Sequence, residues 1–446
     1  MDQPQQTAGV QPPRTVAASK KDMRRIAIAS STGTVIEYYD FLIYGTASAL
    51  VFPHVFFPAL GPAAGTVAAF ATQGVAFLGR PLGAILFGHF GDRVGRKKTL
   101  ITTLFLMGLS TVLIGLMPTA GQIGVAAPLL VLLLRILQGL AVGGEWAGAT
   151  LLAAESAPKA KRGFYSMFGS LGGAVAVVLA NLTFLIAGLT MSNEDFISYG
   201  WRIPFVASVV LIAVGLVVRL KIEESPVFRR EASRSGTSSA PLAEAFRNQP
   251  RQMLFGSGVL VMVFAFFYLS GSFLASYGTA HLHLAKTTVL SIGVLAGVVW
   301  CISMILGAVL SDRFGRRRVI LVSTFVSVAW ALALFPVLDI GTAFSYGAGV
   351  CLTLVFAGLV FGPVSAFMPE LFITRYRYTA AGFCYNVAGI LGGAVPPLVA
   401  APIIGVAGSL ALGGFLAVLA LISAVCTLGL KETRHYEMDR GELVAG

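Results

Sequence analysis

Charge is what this sequence has least of. Asp, Glu, Lys and Arg make up only 12% of its 446 residues, while hydrophobic residues make up 56% and the mean hydropathy is +0.82. One soluble core cannot house that much apolar surface, so the solvent must be largely lipid. Cysteine is equally sparse. Cys301, Cys351, Cys384 and Cys426 stand far apart inside apolar stretches, which excludes a disulfide framework and a metal site of paired spacing and makes them packing residues. Acidic residues number 20 against 32 basic ones, for a net charge of +12 and a pI near 9.7. A nucleic-acid binder gathers such an excess on one face or groove, whereas here the basic residues lie in loops between apolar runs. The start of the chain, Met1 to Arg25, lacks the short apolar core and small-residue cleavage site of a signal peptide and reads as a cytoplasmic tail. Gly-rich runs such as Gly143-Gly144, Gly172-Gly173 and Gly392-Gly393 have no Lys-Ser/Thr after them and no strand before them. They read as close helix contacts rather than phosphate loops.

What is present is a repeat. Gly88 to Lys98 reads GHFGDRVGRKK and Ala308 to Arg318 reads AVLSDRFGRRR, so that Asp92 and Asp312, Gly95 and Gly315, and Arg96 and Arg316 each stand 220 positions apart. Gly169-Ser-Leu-Gly-Gly-Ala-Val and Gly389-Ile-Leu-Gly-Gly-Ala-Val repeat at the same offset. Apolar runs near 24–51, 66–90, 99–117, 123–154, 164–190, 201–220, 252–280, 287–310, 319–338, 344–369, 379–404 and 408–430 reach or approach the roughly 20 residues that span hydrocarbon. The fold class is therefore an all-α integral membrane protein of twelve transmembrane helices in two pseudo-symmetric six-helix bundles. Of the 32 Lys and Arg, 28 fall in segments that this topology puts on one side, and Lys and Arg are retained in the cytoplasm. The expected division is a tail 1–25, a first bundle 26–222, a cytoplasmic linker 223–250, a second bundle 251–430 and a cytoplasmic tail 431–446. Repeats of this kind build transporters whose site lies between the halves.

The combination of motifs resembles a known family. Twelve spans with GDRVGRKK after helix 2 and SDRFGRRR after helix 8 look like the major facilitator superfamily. Glu37-Tyr-Tyr-Asp-Phe, Gly79-Arg-Pro-Leu-Gly, the run from Arg135 to Trp146, the run from Glu155 to Gly163, Trp201-Arg-Ile-Pro-Phe and Ile222-Glu-Glu-Ser-Pro narrow it. Together they look like the metabolite:proton symporters, which include permeases for α-ketoglutarate, citrate, shikimate and proline or betaine. Two features depart from the pattern. Ala308 stands where the first copy has Gly88, and only 16 residues follow Leu430, against the long C-terminal coiled coil of osmosensing members. The resemblance implies a secondary transporter in the cell membrane, both termini cytoplasmic, that works as a monomer and takes up a small carboxylated metabolite with protons by alternating access. It implies no enzyme activity, no cofactor beyond the proton gradient and no metal. The alternatives are symport of a zwitterionic compatible solute and export of a drug or metabolite.

Charges inside the spans carry the functional reading. Glu37 and Asp40 in helix 1, Arg80 in helix 2, Arg135 and Glu145 in helix 4 lie within apolar runs, and the second-half runs contain no Asp, Glu, Lys or Arg. Each costs at least about 2.5–3.5 kcal/mol at the bilayer centre, so each must face a cavity or a partner. Glu37, Asp40 and Tyr44 share one helical face, as do Arg135, Gln138 and Glu145, and Gln73 with Arg80. Two arginines that do not titrate suit an anionic ligand gripped in bidentate fashion. Asp40, Glu37 and Glu145 are candidates to carry the proton. The structural alternative is that the arginines simply neutralise these acids. The resemblance places Arg80 and Asp40 in a central cavity. Helical spacing puts Asn181 of helix 5 on a face with Ser166, Ser170 and Gly173, and Tyr268, Tyr277, Trp300, Tyr385 and Asn386 of the second half are expected to complete the cavity with uncharged stacking and hydrogen-bonding groups. In the loops, Asp92 and Asp312 stand where free backbone N–H groups of a helix start are available. With Gly88, Arg93, Gly95, Arg96, Glu155, Arg162, Arg313, Gly315 and Arg316 they are expected to latch the cytoplasmic ends in one conformation, by analogy with the family.

Overall fold

A computed structural model describes residues 20–94, 96–143, 145–221 and 241–436, with the side chains of 88–97, of Glu145 and of a few other helix positions outside the description. Twelve long helical segments follow one another and no strand occurs among the described residues. They are α1 Lys20–Leu50, α2 Gly61–Val94, α3 Arg96–Leu116, α4 Ala126–Ser156, α5 Lys159–Thr190, α6 Arg202–Lys221 and α7 Pro250–His281. Then come α8 Lys286–Phe314, α9 Arg316–Leu338, α10 Ala343–Glu370, α11 Arg377–Ala407 and α12 Ser409–Leu428. All twelve apolar runs of the sequence form helix. Of the expected linker, residues 223–240 lie outside the described residues, and its end folds as a short helix Pro241–Asn248.

Among the described residues nine helices are long and apolar enough to cross a membrane, ten when the pair Asn193–Gly200 and Arg202–Val218, bent by 48°, is taken as one. α3 misses through length, its apolar stretch being Ile101–Leu116. α1 misses through polarity: Ser30, Thr34, Glu37 and Asp40 dilute it, and all four are buried. Its polar groups therefore meet protein and not lipid, which is the only setting hydrocarbon tolerates. The outer faces of the other helices carry Leu82, Ile85, Leu133, Val210, Leu254, Ile302 and Leu306, all exposed, as a lipid-facing belt requires. α7 and α10 are the most enclosed, with 89% and 72% of their most apolar stretches buried.

Backbone contact between α2 and α4 positions the site. A Cβ placed on Gly83 would stand 1.9 Å from the Leu140 carbonyl oxygen, and one on Gly139 would stand 2.2 Å from the Ala76 carbonyl oxygen. Lipid gives helices no hydrophobic reason to associate, so such small-residue seams supply van der Waals contact instead. This seam holds Arg80 and Arg135 on adjacent helices at one depth. Gly139→Val drives a side chain into backbone that has nowhere to go, at a cost of about 1–3 kcal/mol or more. Thermal unfolding in detergent is expected to show the loss, while Gly188→Val, where a Cβ meets open space, leaves the transition in place.

Short π-helical turns interrupt α7 at Leu269–Phe273 and Tyr277–His281 and α11 at Gly389–Ala394. Each inserts a residue into the helical register and rotates the face that follows. In α2, Pro81 lacks the N–H that Phe77 would receive, which loosens the turn that carries Arg80.

Candidate functional site

Four charged side chains meet in the middle of the first six helices, each at most 1% exposed: Glu37 and Asp40 from α1, Arg80 from α2 and Arg135 from α4. They divide into two linked pairs. Arg80 Nη2 lies 3.8 Å from Glu37 Oε1. Arg135 does not pair with Asp40 directly. Its Nη1 donates to Gln138 Oε1 at 2.7 Å, Gln138 Nε2 donates to Thr111 Oγ1 at 2.6 Å, and Thr111 Oγ1 donates to Asp40 Oδ2 at 2.7 Å. Aromatic rings lie close to both guanidiniums. Arg80 lies 4.3 Å from the Phe41 ring centre and 4.6 Å from that of Phe77, and Arg135 lies 4.7 Å from Phe41 and 3.9 Å from Tyr44. Phe41 thus lies close to both like charges, and the attraction of each to its ring is stronger where water is excluded.

The arginines are not fully used by the protein. Arg80 Nε and Nη1 and Arg135 Nε and Nη2 find no hydrogen-bond acceptor among the described residues, and neither does Asp40 Oδ1 find a donor. A buried donor left unmade costs about 1–3 kcal/mol, more when it is charged.

The second half closes over this cluster with rings. Tyr268 stands edge-on to Phe77 at 4.9 Å, and Tyr385 stacks on Trp146 at 4.2 Å. Hydrogen bonds cross between the halves from Tyr38 to Tyr385, from Ser170 to Ser365 at 2.7 Å, from Gln73 Nε2 to Ser272 Oγ at 3.3 Å and from Asn386 Nδ2 to the Gly143 carbonyl at 3.0 Å. Tyr44 bonds Thr72 at 2.5 Å and so anchors α1 to α2. Trp300 stacks on Phe267 at 4.4 Å, one ring further from the charges. Two of the expected residues stand apart. The Tyr277 hydroxyl donates to Asp339, which also accepts from Ser409 at 2.6 Å, and Asn181 donates to the Val177 carbonyl and lines a small separate cavity with Ser270, Gly293 and Tyr346. Tyr277 lies nine residues past Tyr268, about 13 Å along the helix, which carries it away from the charges. The side chain of Glu145 lies outside the described residues.

A second cluster sits at the end of the bundle where Arg162, Asp312, Arg377 and the segment after α12 come together. Asp312 lies in the second repeat, yet its Oδ1 and Oδ2 accept from the backbone N–H of Gly163 and Phe164 in the first half, each at 2.9 Å, while Oδ1 also accepts from Arg316 at 2.6 Å. It caps the helix start of the opposite half. Two crossed ion pairs flank it. Arg162 meets Glu370 at 3.1 Å and Arg377 meets Glu155 at 3.1 Å, so the acid of each half holds the arginine of the other. The sequence reading put Glu155 and Arg162 in one loop network; the structure pairs neither with the other. Glu370, fully buried, also stands 3.6 Å from Arg316 Nε and accepts from Thr433 at 2.6 Å. Gly315, at φ +102°, leaves room for Glu432, which caps α9 through the Arg316 N–H. Arg313 faces outward over Phe314. Of the first copy, Gly95 and the side chains at Gly88, Asp92, Arg93 and Arg96 lie outside the description. Glu370→Gln strips Arg162 and Arg316 of a buried partner, a loss of about 3–5 kcal/mol for a broken buried pair. In a cysteine-free background, a cysteine at Ser365 is then expected to react faster with a maleimide. Unchanged labelling would show that the crossed pairs do not hold this end closed.

Sequence reasoning missed Thr111, Phe41, Trp146, Glu370 and Arg377. Glu370 and Arg377 carried a signal: Glu-x6-Arg occurs at Glu155–Arg162 and again at Glu370–Arg377. Thr111 carried none, because a lone hydroxyl in a helix bonds its own backbone at little cost.

A profile of the Major Facilitator Superfamily matches residues 31–397. The chain is 42% identical to the inner membrane metabolite transport protein YhjE of Escherichia coli over 93% of its length and 95% of the relative's. It is 40% identical to the shikimate transporter of Escherichia coli, over 85% and 88% of the two chains, and 31% identical to the proline/betaine transporter of Salmonella typhimurium, over 93% and 84%. Its fold is that of the proton:xylose symporter XylE, with a TM-score of 0.74 at 17% identity, covering 94% of this chain and 98% of that one.

Proposed function

This chain belongs to the major facilitator superfamily, and on that premise we propose that it takes up a small carboxylated metabolite in symport with protons across the inner membrane. It is a multi-pass membrane transporter and not an enzyme; substrate, coupling and direction are the proposal. The observation that carries it is the pair of buried guanidiniums with unfilled N–H groups beside two carboxylates. A carboxylate oxygen is the acceptor those groups lack, and Arg presents them in a fork that matches it. The relatives support this chemistry, since shikimate, proline and betaine each bear one carboxylate.

Alternating access follows from the contacts between the halves. Asp40 takes a proton from outside, the substrate docks on Arg80 and Arg135, and the halves rock so that the Glu155–Arg377 and Arg162–Glu370 pairs part. The basic loops lie on the cytoplasmic side, where Lys and Arg are retained. A membrane potential supplies about 2.3 kcal/mol per charge per 100 mV and each pH unit about 1.36 kcal/mol per proton. A carboxylate monoanion entering with one proton carries no net charge, so the pH gradient alone drives it, about tenfold per unit; the potential contributes only when protons outnumber the substrate's negative charges.

Proteoliposomes with an inward proton gradient, offered labelled shikimate, succinate, proline and betaine in turn, test the reading. Accumulation of shikimate or succinate that a protonophore collapses is the expected result. Accumulation of only proline or betaine transfers the site to a zwitterionic solute, and uptake indifferent to the protonophore removes the coupling.

A further inference from the structure

We infer that Thr111 is the residue through which the protonation state of Asp40 reaches Arg135; it is a positioning residue that touches neither substrate nor the transferred proton's bulk path. The inference rests on the reading of Asp40 as proton carrier and adds the element that links the proton to the anion site.

The argument starts from a hydroxyl with one proton and two lone pairs. Thr111 Oγ1 has three neighbours within hydrogen-bond distance: Asp40 Oδ2 at 2.7 Å, Gln138 Nε2 at 2.6 Å and the Met107 carbonyl at 3.1 Å. With Asp40 ionised, the donors run in one direction, from Arg135 to Gln138 to Thr111 to the carboxylate. Each link polarises the next, and the chain joins a positive end to a negative one without contact between them. Arg135 Nη1 is thereby committed to Gln138.

Protonating Asp40 at Oδ2 reverses the last link. The carboxyl O–H then donates to Thr111, whose own proton turns to the Met107 carbonyl, the acceptor already in place one turn back. Thr111 now accepts from both sides, so the donors from Asp40 and from Arg135 meet head to head. The chain no longer ends on a negative charge, its polarisation falls, and the hold on Arg135 weakens. An anion then finds a guanidinium less committed to the protein, which is the order of events symport requires.

No other titratable group competes for Asp40. Among the described residues around it, the charged groups are Arg135 from α4 and the Arg80–Glu37 pair from α2 and α1. Tyr39 on α1 is turned to the Pro204 carbonyl, and Tyr44 bonds Thr72. The facing stretches 99–116 of α3, 166–190 of α5 and 203–218 of α6 contain no titratable side chain. The bridge is therefore the one hydrogen-bonded route between the acid and Arg135 among these residues.

Infrared difference spectroscopy of the full chain in proteoliposomes tests this without needing the substrate. The carboxyl C=O band of Asp40 is assigned by its loss in Asp40→Asn, and the guanidinium bands of Arg135 by their change in Arg135→Lys. In the wild type and in Thr111→Ser, which keeps the hydroxyl, the guanidinium bands are expected to shift with pH in step with the carboxyl band. In Thr111→Val and in Gln138→Leu the carboxyl band still titrates while the guanidinium shift is lost. Guanidinium bands that follow the carboxyl band equally in Thr111→Val, or that stay still in the wild type while the carboxyl titrates, overturn the bridge alone. A wild-type spectrum with no carboxyl band belonging to Asp40 at any pH overturns both the bridge and the role of Asp40 as proton carrier.

Discussion

Replacing Arg80 by alanine is expected to abolish uptake, with a fall of at least about 100-fold, while the protein is still made and inserted. The size follows from two terms. A charge-assisted hydrogen bond to the substrate contributes about 1.5–3 kcal/mol, and Glu37, left in a buried site without its guanidinium, costs several more; 1.4 kcal/mol is a factor of ten. Arg80 also lies between the Phe41 and Phe77 rings, so packing is lost along with charge. Arg80→Lys separates the contributions. It restores a cation to Glu37 but not the planar fork or the ring stacking, and is expected to return the thermal stability while leaving uptake at least tenfold down. Uptake by Arg80→Ala at the wild-type rate, measured at equal protein in the vesicles, would remove this residue from the anion site.

The second large effect belongs to Asp40→Asn. The amide has the shape of the carboxyl and can still meet the Thr111 hydroxyl, but it cannot exchange a proton. Accumulation against a gradient is expected to disappear, which removes about tenfold of accumulation per pH unit for each proton carried. Counterflow, in which labelled substrate enters in exchange for unlabelled substrate within, is expected to persist because it needs no net proton movement. Persistence of proton-driven accumulation in this variant would hand the coupling to Glu37 or Glu145. The two experiments separate the functions of neighbouring groups: one empties the anion site, the other uncouples it from its driving force.

These expectations also show where a close sequence reading succeeds. Glu37, Asp40, Arg80 and Arg135 stood out because ionisable groups inside apolar runs are costly and therefore rare, and the structure brings all four into one buried cluster. Gln138 and Tyr44 came with them by helical spacing, and both touch Arg135. Asn181 came from spacing within helix 5 and Tyr277 as an uncharged ring of the second half, and the structure leaves both away from the charges. Spacing within one helix says which side chains share a face, not which neighbour that face meets.

The partnerships were beyond the sequence. Glu155 and Arg162 stand seven residues apart and suggest a local pair, yet Glu155 holds Arg377 and Arg162 holds Glu370, because the two halves face each other and their repeated motifs meet crosswise. Asp312 had the chemistry of a helix cap, and only the packing of the halves made the capped helix belong to the other repeat.

The sequence by itself determined that the chain lives in lipid, that it forms twelve helical runs carrying a repeated motif, and that the charges inside the first-half runs are buried, since hydropathy and the cost of a charge in hydrocarbon act on each segment alone. Which groups those charges meet was decided by tertiary structure. A hydroxyl such as that of Thr111 is almost free to bury in a helix, so nothing in its own segment marks it, and it becomes significant only when glycine seams bring α4, and α1 beside it, within hydrogen-bond distance.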